Sequence, residues 1–335
     1  MEVAPTRRLT GRIVSTSQRS AAKLRILSFL FLIFRPRLLY LLRYVFFFKR
    51  LPRFSSPARI SEKIALRILS GCSPPWRQKM ADKLEVRGTV HRICPDLRLK
   101  KIYAVYERPD ELELAALPPS FVLKLNNASS ANLVVLNKAE VEESELRRKI
   151  ASLLRRNYYH ASQEPCYRGI RNRVFAEELT LGATGYYPLE FRIFCFHGKA
   201  RFIDYEVIPN ERGDSVIVDI DWNPLPVKYA YAKLEASRIP RPPHLEEAIR
   251  ISERLAAGLD FVRVDLYDLS DGLVFGEMTN LPWGGLVRLA PEGGDEFLGR
   301  YWEPYAARES ETEILLQESG NYAQPEDCSL DSIRL

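Results

Sequence analysis

Charged residues lie inside two predicted strands near the end of the chain, where side-chain alternation decides which of them act together. In FVRVDLY, Arg263 and Asp265 are two residues apart and share one face of the strand. In LVFGEMTN, Glu277 and Thr279 share a face in the same way. Two carboxylates such as Asp265 and Glu277 suit a magnesium ion that also binds triphosphate oxygens. The simpler interpretation is a sheet with one solvated face.

Two upstream stretches add groups of the same kind. In LEFRIFCF, Glu190 and Arg192 share a face, with apolar residues behind them. In FVLKLNNASSANLVVLNK, the strand around Lys124 is followed by small polar residues and a second strand. This layout suits a loop folded over phosphate, although such loops usually use glycine, and residues 121–138 contain none. The stretch is therefore either an altered nucleotide loop or an ordinary hairpin.

The elements that must position these residues alternate irregularly between helices and strands. Apolar periodicity and turn residues predict helices at 61–69, 76–85, 141–157 and 244–259. They predict strands at 121–125, 133–136, 173–179, 189–196, 200–208, 215–219, 261–267 and 273–279. Because several strands are joined by short turns rather than by helices, the pattern indicates an α+β fold.

Composition restricts the class of protein. The chain of 335 residues is 46% hydrophobic and 27% charged, which is typical of a globular protein. Its five cysteines show no C-x-x-C spacing, so we expect neither a zinc site nor a disulfide framework. Residues 1–60 carry +12 of charge, whereas the remainder carries −6, for a net +6. Since the basic character is not on the main domain, we expect no nucleic-acid partner.

The basic N-terminal segment is also apolar. Its longest uncharged apolar run, 26–34, has nine residues and is too short for a spanning helix. Apolar residues interleaved with arginines are typical of a segment that lies on an anionic membrane surface. We therefore expect a cytoplasmic protein held peripherally at the inner face of the cell membrane. The alternative is a helical hairpin packed on the domain.

The order of the motifs resembles the ATP-grasp proteins of the teichuronopeptide-biosynthesis (TupA-like) group. The similar stretches are LPPSFVLKLNN, RNYY before RVFAEEL, EFRIFCFHGKARFI, DWNPLP, and FVRVDLYDLSDGLVFGEMT with a later LG. The resemblance implies an ATP-grasp fold, in which two α+β parts grip ATP with Mg²⁺. The domain boundaries follow as a basic segment at 1–53, a helical part at 54–117, an ATP-grasp domain at 118–302 (lid 118–180, metal-binding core 181–302) and an acidic tail at 303–335.

The resemblance also implies roles for individual residues. The expected catalytic residues are Lys124, Arg192 and Arg263. The expected ATP-binding residues are Lys124, Asn127, Ser129, Ser130, Glu177, Glu178, Leu179 and Glu190, with residues 177–179 as the hinge that reads adenine. The expected metal ligands are Asp265, Glu277, Thr279 and Asn280. The family usually places glycines in the lid loop, where this chain has alanine and serine.

The activity that the resemblance implies is an ATP-dependent carboxylate–amine ligase acting through an acylphosphate in cell-surface polymer biosynthesis. Its partners would be ATP, a carboxylate and an amine, with a lipid-linked glycan as a possible substrate. Two alternatives stay open. Asp219-Ile-Asp221 is the D-x-D pattern of metal-dependent glycosyltransferases, although Asp219 also suits a strand end. A glycine-free lid loop also suits a scaffold that has lost turnover.

Overall fold

Two five-stranded antiparallel sheets form the frame of the protein. The computed structural model describes residues 13–15, 35–71, 73–129, 131–182, 188–206, 215–232, 234 and 239–303. The first sheet contains Ile13–Ser15 (β1), Ile102–Tyr106 (β2), Phe121–Leu125 (β3), Asn132–Val135 (β4) and Val174–Glu177 (β5), in the order β1-β4-β3-β5-β2. The second contains Leu189–Phe196 (β6), Lys199–Glu206 (β7), Ser215–Asp219 (β8), Phe261–Leu269 (β10) and Gly272–Thr279 (β11), in the order β11-β10-β6-β7-β8. A small ladder joins Lys228–Tyr229 (β9) to Leu289–Ala290 (β12).

The helices pack around these sheets. They are Pro36–Phe48 (α1), Ile60–Ser70 (α2), Pro75–Ala81 (α3), Val86–Ile93 (α4), Glu143–Leu154 (α5), Tyr158–Ser162 (α6), Leu245–Ala256 (α7) and Gly294–Gly299 (α8). The helix predicted at 76–85 is wrong in extent, because the chain turns at Asp82. Its carboxylate accepts hydrogen bonds from the backbone N–H groups of Leu84 and Glu85, which separates α3 from α4.

Strand β2 was not predicted. All five of its residues are apolar or aromatic, so the stretch lacks the alternation of apolar and polar residues by which a half-buried strand is identified. It lies within 54–117, the range that the sequence assigns to a helical part, yet it pairs with β5 in the first sheet. The two-residue strands β9 and β12 are too short for any periodicity.

The second sheet is covered on both faces. Phe191, Ile193 and Cys195 of β6 pack towards helices α3, α4 and α7. Phe194 and Phe196, on the opposite face, pack towards α1, α2 and α8. A strand that is buried on both sides needs a nearly continuous apolar run, and this explains the second half of LEFRIFCF. The first half keeps a polar face because that end of the sheet borders the site described below.

Helix α1 is part of the folded domain. Tyr40 and Tyr44 are fully buried in the same cluster as Ile64 of α2. For residues 36–48 the structure therefore shows the alternative to a membrane-surface segment, a helix packed on the domain. Its outer face still exposes Leu42 and Phe46, which are 48% and 77% exposed. Within the described ranges, no helix combines the length and apolarity that crossing a bilayer requires. Residues 16–34 and the acidic tail beyond 303 lie outside the described residues.

The contact between α8 and the start of α2 gives a stability test. A Cβ on Gly299 would lie 2.0 Å from the carbonyl oxygen of Ala58, so Gly299→Ala should lower the free energy of unfolding by about 1–3 kcal/mol. Gly88→Ala is the control, because it adds a methyl group within α4 where, apart from the adjacent residues and the backbone of the helix itself, no described atom lies within 4 Å. This control should be neutral or stabilise by up to about 1 kcal/mol. Urea denaturation measures both, and equal effects of the two substitutions would contradict the packing.

Candidate active site

A cavity of about 560 Å³ lies between the two sheets and brings together most of the predicted site residues. Of these, its lining includes Lys124, Ser129, Leu179, Glu190, Arg192, Arg263, Asp265, Glu277 and Thr279. Lys124 comes from β3 in the first sheet, and both predicted metal-binding acids come from the second sheet. The lysine and the two acids, which are more than 140 residues apart in sequence, therefore share one space.

Arg263 organises the acidic end of the cavity. Its Nε donates to Asp265 Oδ1 at 2.7 Å, and its Nη2 donates to Asp265 Oδ2 at 2.5 Å. The same Nη2 lies 3.2 Å from Glu277 Oε1 and 3.1 Å from Thr279 Oγ1. Thr279 in turn donates to Glu277 at 2.8 Å. Four residues of two neighbouring strands thus form one hydrogen-bonded group.

The backbone beside this group is adapted to it. Asp265 and Glu277 are register partners, and the register shifts directly afterwards because Gly276 is an extra residue on β11. A Cβ on Gly276 would lie 2.9 Å from the carbonyl oxygen of Asp265. The bulge therefore needs glycine, and it turns the end of β11 so that Glu277 and Thr279 both face the cavity.

The two acids differ in their tendency to ionise. Burial raises the pKa of Asp265, and the two hydrogen bonds from Arg263 only partly offset this effect. Burial also disfavours ionisation of Glu277, but Lys83 and Arg263 outweigh it and hold the pKa of Glu277 below the ordinary value. A cation placed between the two would favour the charged form of both.

The donor set at this end fits Mg²⁺. Two carboxylates and a hydroxyl supply hard oxygen ligands, which are the ligands that Mg²⁺ prefers. Among the residues that the structure describes, no group of three or more His, Cys, Asp or Glu side chains could form a complete protein site. Any remaining ligands would therefore be phosphate oxygens and water, as is usual for magnesium bound with a nucleotide.

A pair of lysines lies at the other end of the cavity. Lys124 Nζ is 2.7 Å from Glu177 Oε1, and Lys100 Nζ is 3.8 Å from the same oxygen. Burial, together with Lys124, lowers the pKa of Lys100 to about 7. Lys100 was not predicted, because it lies two residues before the unpredicted strand β2. A lysine next to an apolar stretch, in LKKIYAVY, was the available signal.

Arg192 is surrounded by carboxylates on β6 and β7. Its Nε donates to Glu190 at 2.9 Å, its Nη2 contacts Glu206, and Asp204 lies 3.7 Å away. Burial disfavours its charge, but these acids raise the pKa of Arg192 well above the ordinary value. Arg192 therefore stays cationic beside the cavity. Glu206 also lines the cavity and was not predicted.

Lys83, another residue that was not predicted, ties the lid loop to the second sheet. Its backbone N–H donates to the Asn126 carbonyl, and its Nζ donates to the Ala128 carbonyl, both at 2.9 Å. The same Nζ lies 3.4 Å from Glu277 Oε2. Lys83 belongs to the turn between α3 and α4, where the sequence offers no periodic signal.

Three predicted site residues lie outside the cavity lining because other groups occupy their side chains. Asn127 donates to the Ile170 carbonyl at 3.1 Å and to Asn172 Oδ1 at 2.8 Å. Glu178 accepts from Arg98 and from the backbone N–H of Lys101. Asn280 donates to the Arg77 carbonyl at 3.1 Å. Glu177 acts on the cavity only through Lys124 and Lys100, and Ser130 lies outside the described residues.

The glycine-free lid loop needs no left-handed backbone in this conformation. Among its described residues, 126–129 and 131, none has a positive φ. Asn126 holds the loop by donating to Asp82 at 2.7 Å and to the Arg171 carbonyl at 3.1 Å. The loss of glycine therefore does not by itself distort the loop, because the conformation shown here is open to alanine and serine.

Glu164 was also missed by the sequence reasoning. It lines the cavity, is 8% exposed, and follows the short helix α6. Within the described part of the chain, its carboxylate forms no hydrogen bond or ion pair. Burial raises its pKa to about 8, with a smaller contribution from Glu277, while Arg43 and Lys83 act in the opposite direction.

The D-x-D pattern does not contribute to the cavity. Asp219 Oδ1 accepts hydrogen bonds from the backbone N–H groups of Asp221 and Asn223, at 3.0 and 2.7 Å. Asp219 therefore closes the turn after β8, and neither aspartate is among the residues that line the cavity. Trp283, by contrast, does line it.

Comparison with known families settles the identity at family level. The model of the family described as TupA-like ATPgrasp matches residues 62–303, more than two thirds of the chain. The chain belongs to the TupA-like ATP-grasp family. This confirms the resemblance and the α+β ATP-grasp fold that the sequence predicts. Helix α1 lies outside the matched residues.

Several solved structures show weaker likeness. The ATP-grasp ligase PsnB, complexed with minimal precursor, Mg and ADP, is 12% identical with a TM-score of 0.35, covering 61% of this chain and 52% of PsnB. D-alanine-D-alanine ligase from Helicobacter pylori is 16% identical with a TM-score of 0.39, covering 62% of this chain and 55% of the ligase. L-amino acid ligase from Bacillus licheniformis is 15% identical with a TM-score of 0.40, covering 80% of this chain and 57% of the ligase. The chain thus spans just over half the length of these proteins. No curated protein sequence matches it.

The protonation of Glu164 predicts a pH-dependent stability. Its pKa is about 8 in the folded chain and near 4.5 when exposed, so the folded state binds more protons between these values. Stability should therefore fall as pH rises through this window, by at most about 1.4 kcal/mol per pH unit. Glu164→Gln removes the effect, so the free energy of unfolding of the variant, relative to that of the wild type, should increase from pH 5 to 8 in urea denaturation. A constant difference between the two proteins would contradict the raised pKa.

Proposed function

We propose that the protein is an ATP-dependent ligase that joins a carboxylate to an amine through an acylphosphate. The observation that carries the proposal is that Lys124, Asp265 and Glu277 line a single cavity in a chain of the ATP-grasp family. A cation from one sheet faces two acids from the other across a space of about 560 Å³, a size within the range of small-molecule sites.

The lysine end of the cavity suits the phosphates of ATP. Lys124 and Lys100 both approach Glu177, which acts as their counter-ion. Phosphate oxygens bound between the two ammonium groups would reduce their mutual repulsion and raise the pKa of Lys100 again. Leu179 lines the same cavity two residues after the end of β5, and its backbone groups would contact the adenine edge.

Asp265, Glu277 and Thr279 are the groups that would hold Mg²⁺. The ion would neutralise phosphate charge. Asn280 would not be a direct ligand, because its side chain is bound to the Arg77 carbonyl, and it would only help to hold the segment after β11 in place. Arg263 already joins both acids, so it would lie beside the phosphoryl group that is transferred. A guanidinium fixed in this way stabilises the charge that develops during transfer without reorganising.

The transfer itself asks little covalent chemistry of the protein. A substrate carboxylate attacks the γ-phosphorus of ATP, the bond to ADP breaks, and an acylphosphate forms. Arg263 and Arg192 provide fixed positive charge, and Arg192 is held by Glu190 and Glu206. An amine then displaces phosphate to give an amide.

The pathway that we propose is cell-surface polymer biosynthesis, with a lipid-linked glycan as the substrate class and the inner face of the cell membrane as the place. Two features of the chain support it. Residues 1–60 carry +12 of charge, and Leu42 and Phe46 are exposed on the outer face of α1. Basic residues next to apolar ones favour anionic lipid surfaces.

The alternatives have less support. A glycosyltransferase site at Asp219 would have to lie away from the cavity, since that side chain closes a turn. A non-catalytic scaffold would retain the fold without nucleotide binding. The persistence of a hydrogen-bonded acid–arginine group facing two lysines favours a working site over a scaffold.

Nucleotide binding is tested by Lys124→Ala. MgATP should raise the melting temperature of the wild type, and the variant should lose at least about tenfold in ATP affinity, because a charge-assisted hydrogen bond contributes about 1.5–3 kcal/mol. The matched control is Lys149→Ala on α5, whose lysine pairs with Glu145 on the same helix and does not line the cavity. Thermal shift titrations with MgATP measure all three proteins. Equal protection of the wild type and Lys124→Ala would exclude the proposed site.

Membrane association is tested by charge removal that leaves α1 intact. Arg19, Lys23 and Arg25 are replaced together by glutamine, and binding to vesicles of phosphatidylserine and phosphatidylcholine is measured by co-sedimentation. Each basic residue near an anionic surface contributes about 1 kcal/mol, so the triple variant should bind at least about tenfold more weakly. The control replaces three exposed arginines elsewhere, Arg148, Arg155 and Arg250. Equal binding by both triple variants would refute a specific membrane segment.

A further inference from the structure

Five acids line the cavity, and they differ in their partners. Glu190 and Glu206 pair with Arg192, while Asp265 and Glu277 pair with Arg263. The fifth acid, Glu164, has no hydrogen bond or ion pair to its carboxylate among the described residues. A buried carboxylate without a partner is costly for a fold unless something else compensates it. Glu164 is therefore the lining acid that is available to a ligand.

The surroundings of Glu164 suit a small cationic group. The aromatic residues Trp283 and Tyr167 line the same cavity, and aromatic rings near a cation favour its binding. Gly284 lies beside the carboxylate, because a Cβ at this position would be in van der Waals contact with Glu164 Oε1, at 3.5 Å. The charged and titratable groups near Glu164 are Tyr40, Arg43, Lys83, Tyr158, Cys166, Tyr167 and Glu277.

Helix α1 holds two segments that border Glu164, residues 161–163 and Gly284. These segments are the two walls of the part of the cavity around Glu164, which we call the Glu164 compartment. Arg43 Nη1 donates to the carbonyl oxygens of Ala161 and Ser162, at 3.3 and 3.0 Å, and to the side chain of Gln163. These bonds hold the chain just before Glu164. On the opposite wall, Tyr40 donates to the Gly284 carbonyl at 2.7 Å. Arg43 and Tyr40 are thus positioning residues supplied from outside the family-matched range.

We propose that Glu164 binds the ammonium group of the amine substrate and takes a proton from it. The inference rests on the proposed ligase function and extends it by naming a binding residue for the second substrate. It limits that substrate to a primary or secondary amine, since the nitrogen of the ammonium must lose two protons when the amide forms. The carbon substituents of the amine would lie against Trp283 or point towards the cavity mouth.

The ammonium transfers one proton to the Glu164 carboxylate, and the free amine attacks the acyl carbon of the acylphosphate. A C–N bond forms, the C–O bond to phosphate breaks, and phosphate leaves with the electron pair. The second proton of the nitrogen goes to the departing phosphate. Glu164 then releases its proton to solvent, and the product is an amide.

The test uses the full chain with glutamate labelled by ¹³C at the carboxyl carbon and follows the Glu164 resonance by NMR. Glu164→Gln identifies the resonance by its loss, and Glu164→Asp serves the same purpose if the glutamine variant does not fold. Glu247→Gln, at an exposed site on α7, is the control for assignment. Methylammonium chloride is the probe, and tetramethylammonium chloride at equal concentration has no N–H donors.

Methylammonium should lower the midpoint at which Glu164 titrates by about 0.5 pH unit or more, and tetramethylammonium should not, because only the former donates hydrogen bonds to the carboxylate. No response to methylammonium, or an equal response to both cations, would overturn the proposal. The result is separate from nucleotide binding. Glu164→Gln should keep its protection by MgATP, and Lys124→Ala should keep the methylammonium response. Loss of MgATP protection in the wild type would instead overturn the ligase function.

Discussion

The sharing of one guanidinium between a buried acid, Asp265, and a partly exposed one, Glu277, is the interaction on which the site depends. Asp265 and Glu277 lie on neighbouring strands, and without Arg263 their proximity inside the protein would be strongly unfavourable. The arginine compensates both charges and fixes their orientation before any ligand binds. The bulge at Gly276 is needed for this arrangement, because it lets the two strands come close while their acids face the same space.

The sheet that carries this group is held in place by apolar packing on both of its faces. Phe194 and Ile193 of β6 lie on opposite faces of the sheet, and each belongs to a separate apolar cluster. Further along the same strand, Glu190 and Arg192 face the cavity instead. One strand thus serves as buried core at one end and as polar wall at the other. The apolar packing around Ile193 and Phe194 thus fixes the strand that positions Glu190 and Arg192.

Strand alternation explains which residues of the site could be predicted from the sequence. The period of two placed Arg263 with Asp265, and Glu277 with Thr279, on one face, and the structure shows these faces lining the cavity. Residues in turns carry no such period, so Lys83, Lys100 and Glu164 were missed. Asn280 was placed by motif alone, and the structure shows its amide bound to a backbone carbonyl. Side-chain partners that are distant in sequence are not encoded in local spacing.

Helix α1 connects the N-terminal part of the chain to the two segments that border Glu164. Two of its side chains, Arg43 and Tyr40, hold backbone carbonyls on opposite walls of one compartment. A shift of this helix by a single ångström would lengthen both sets of bonds together, and the compartment would loosen as a unit. A membrane surface that bound the basic N-terminal segment and moved helix α1 would therefore also change the surroundings of Glu164.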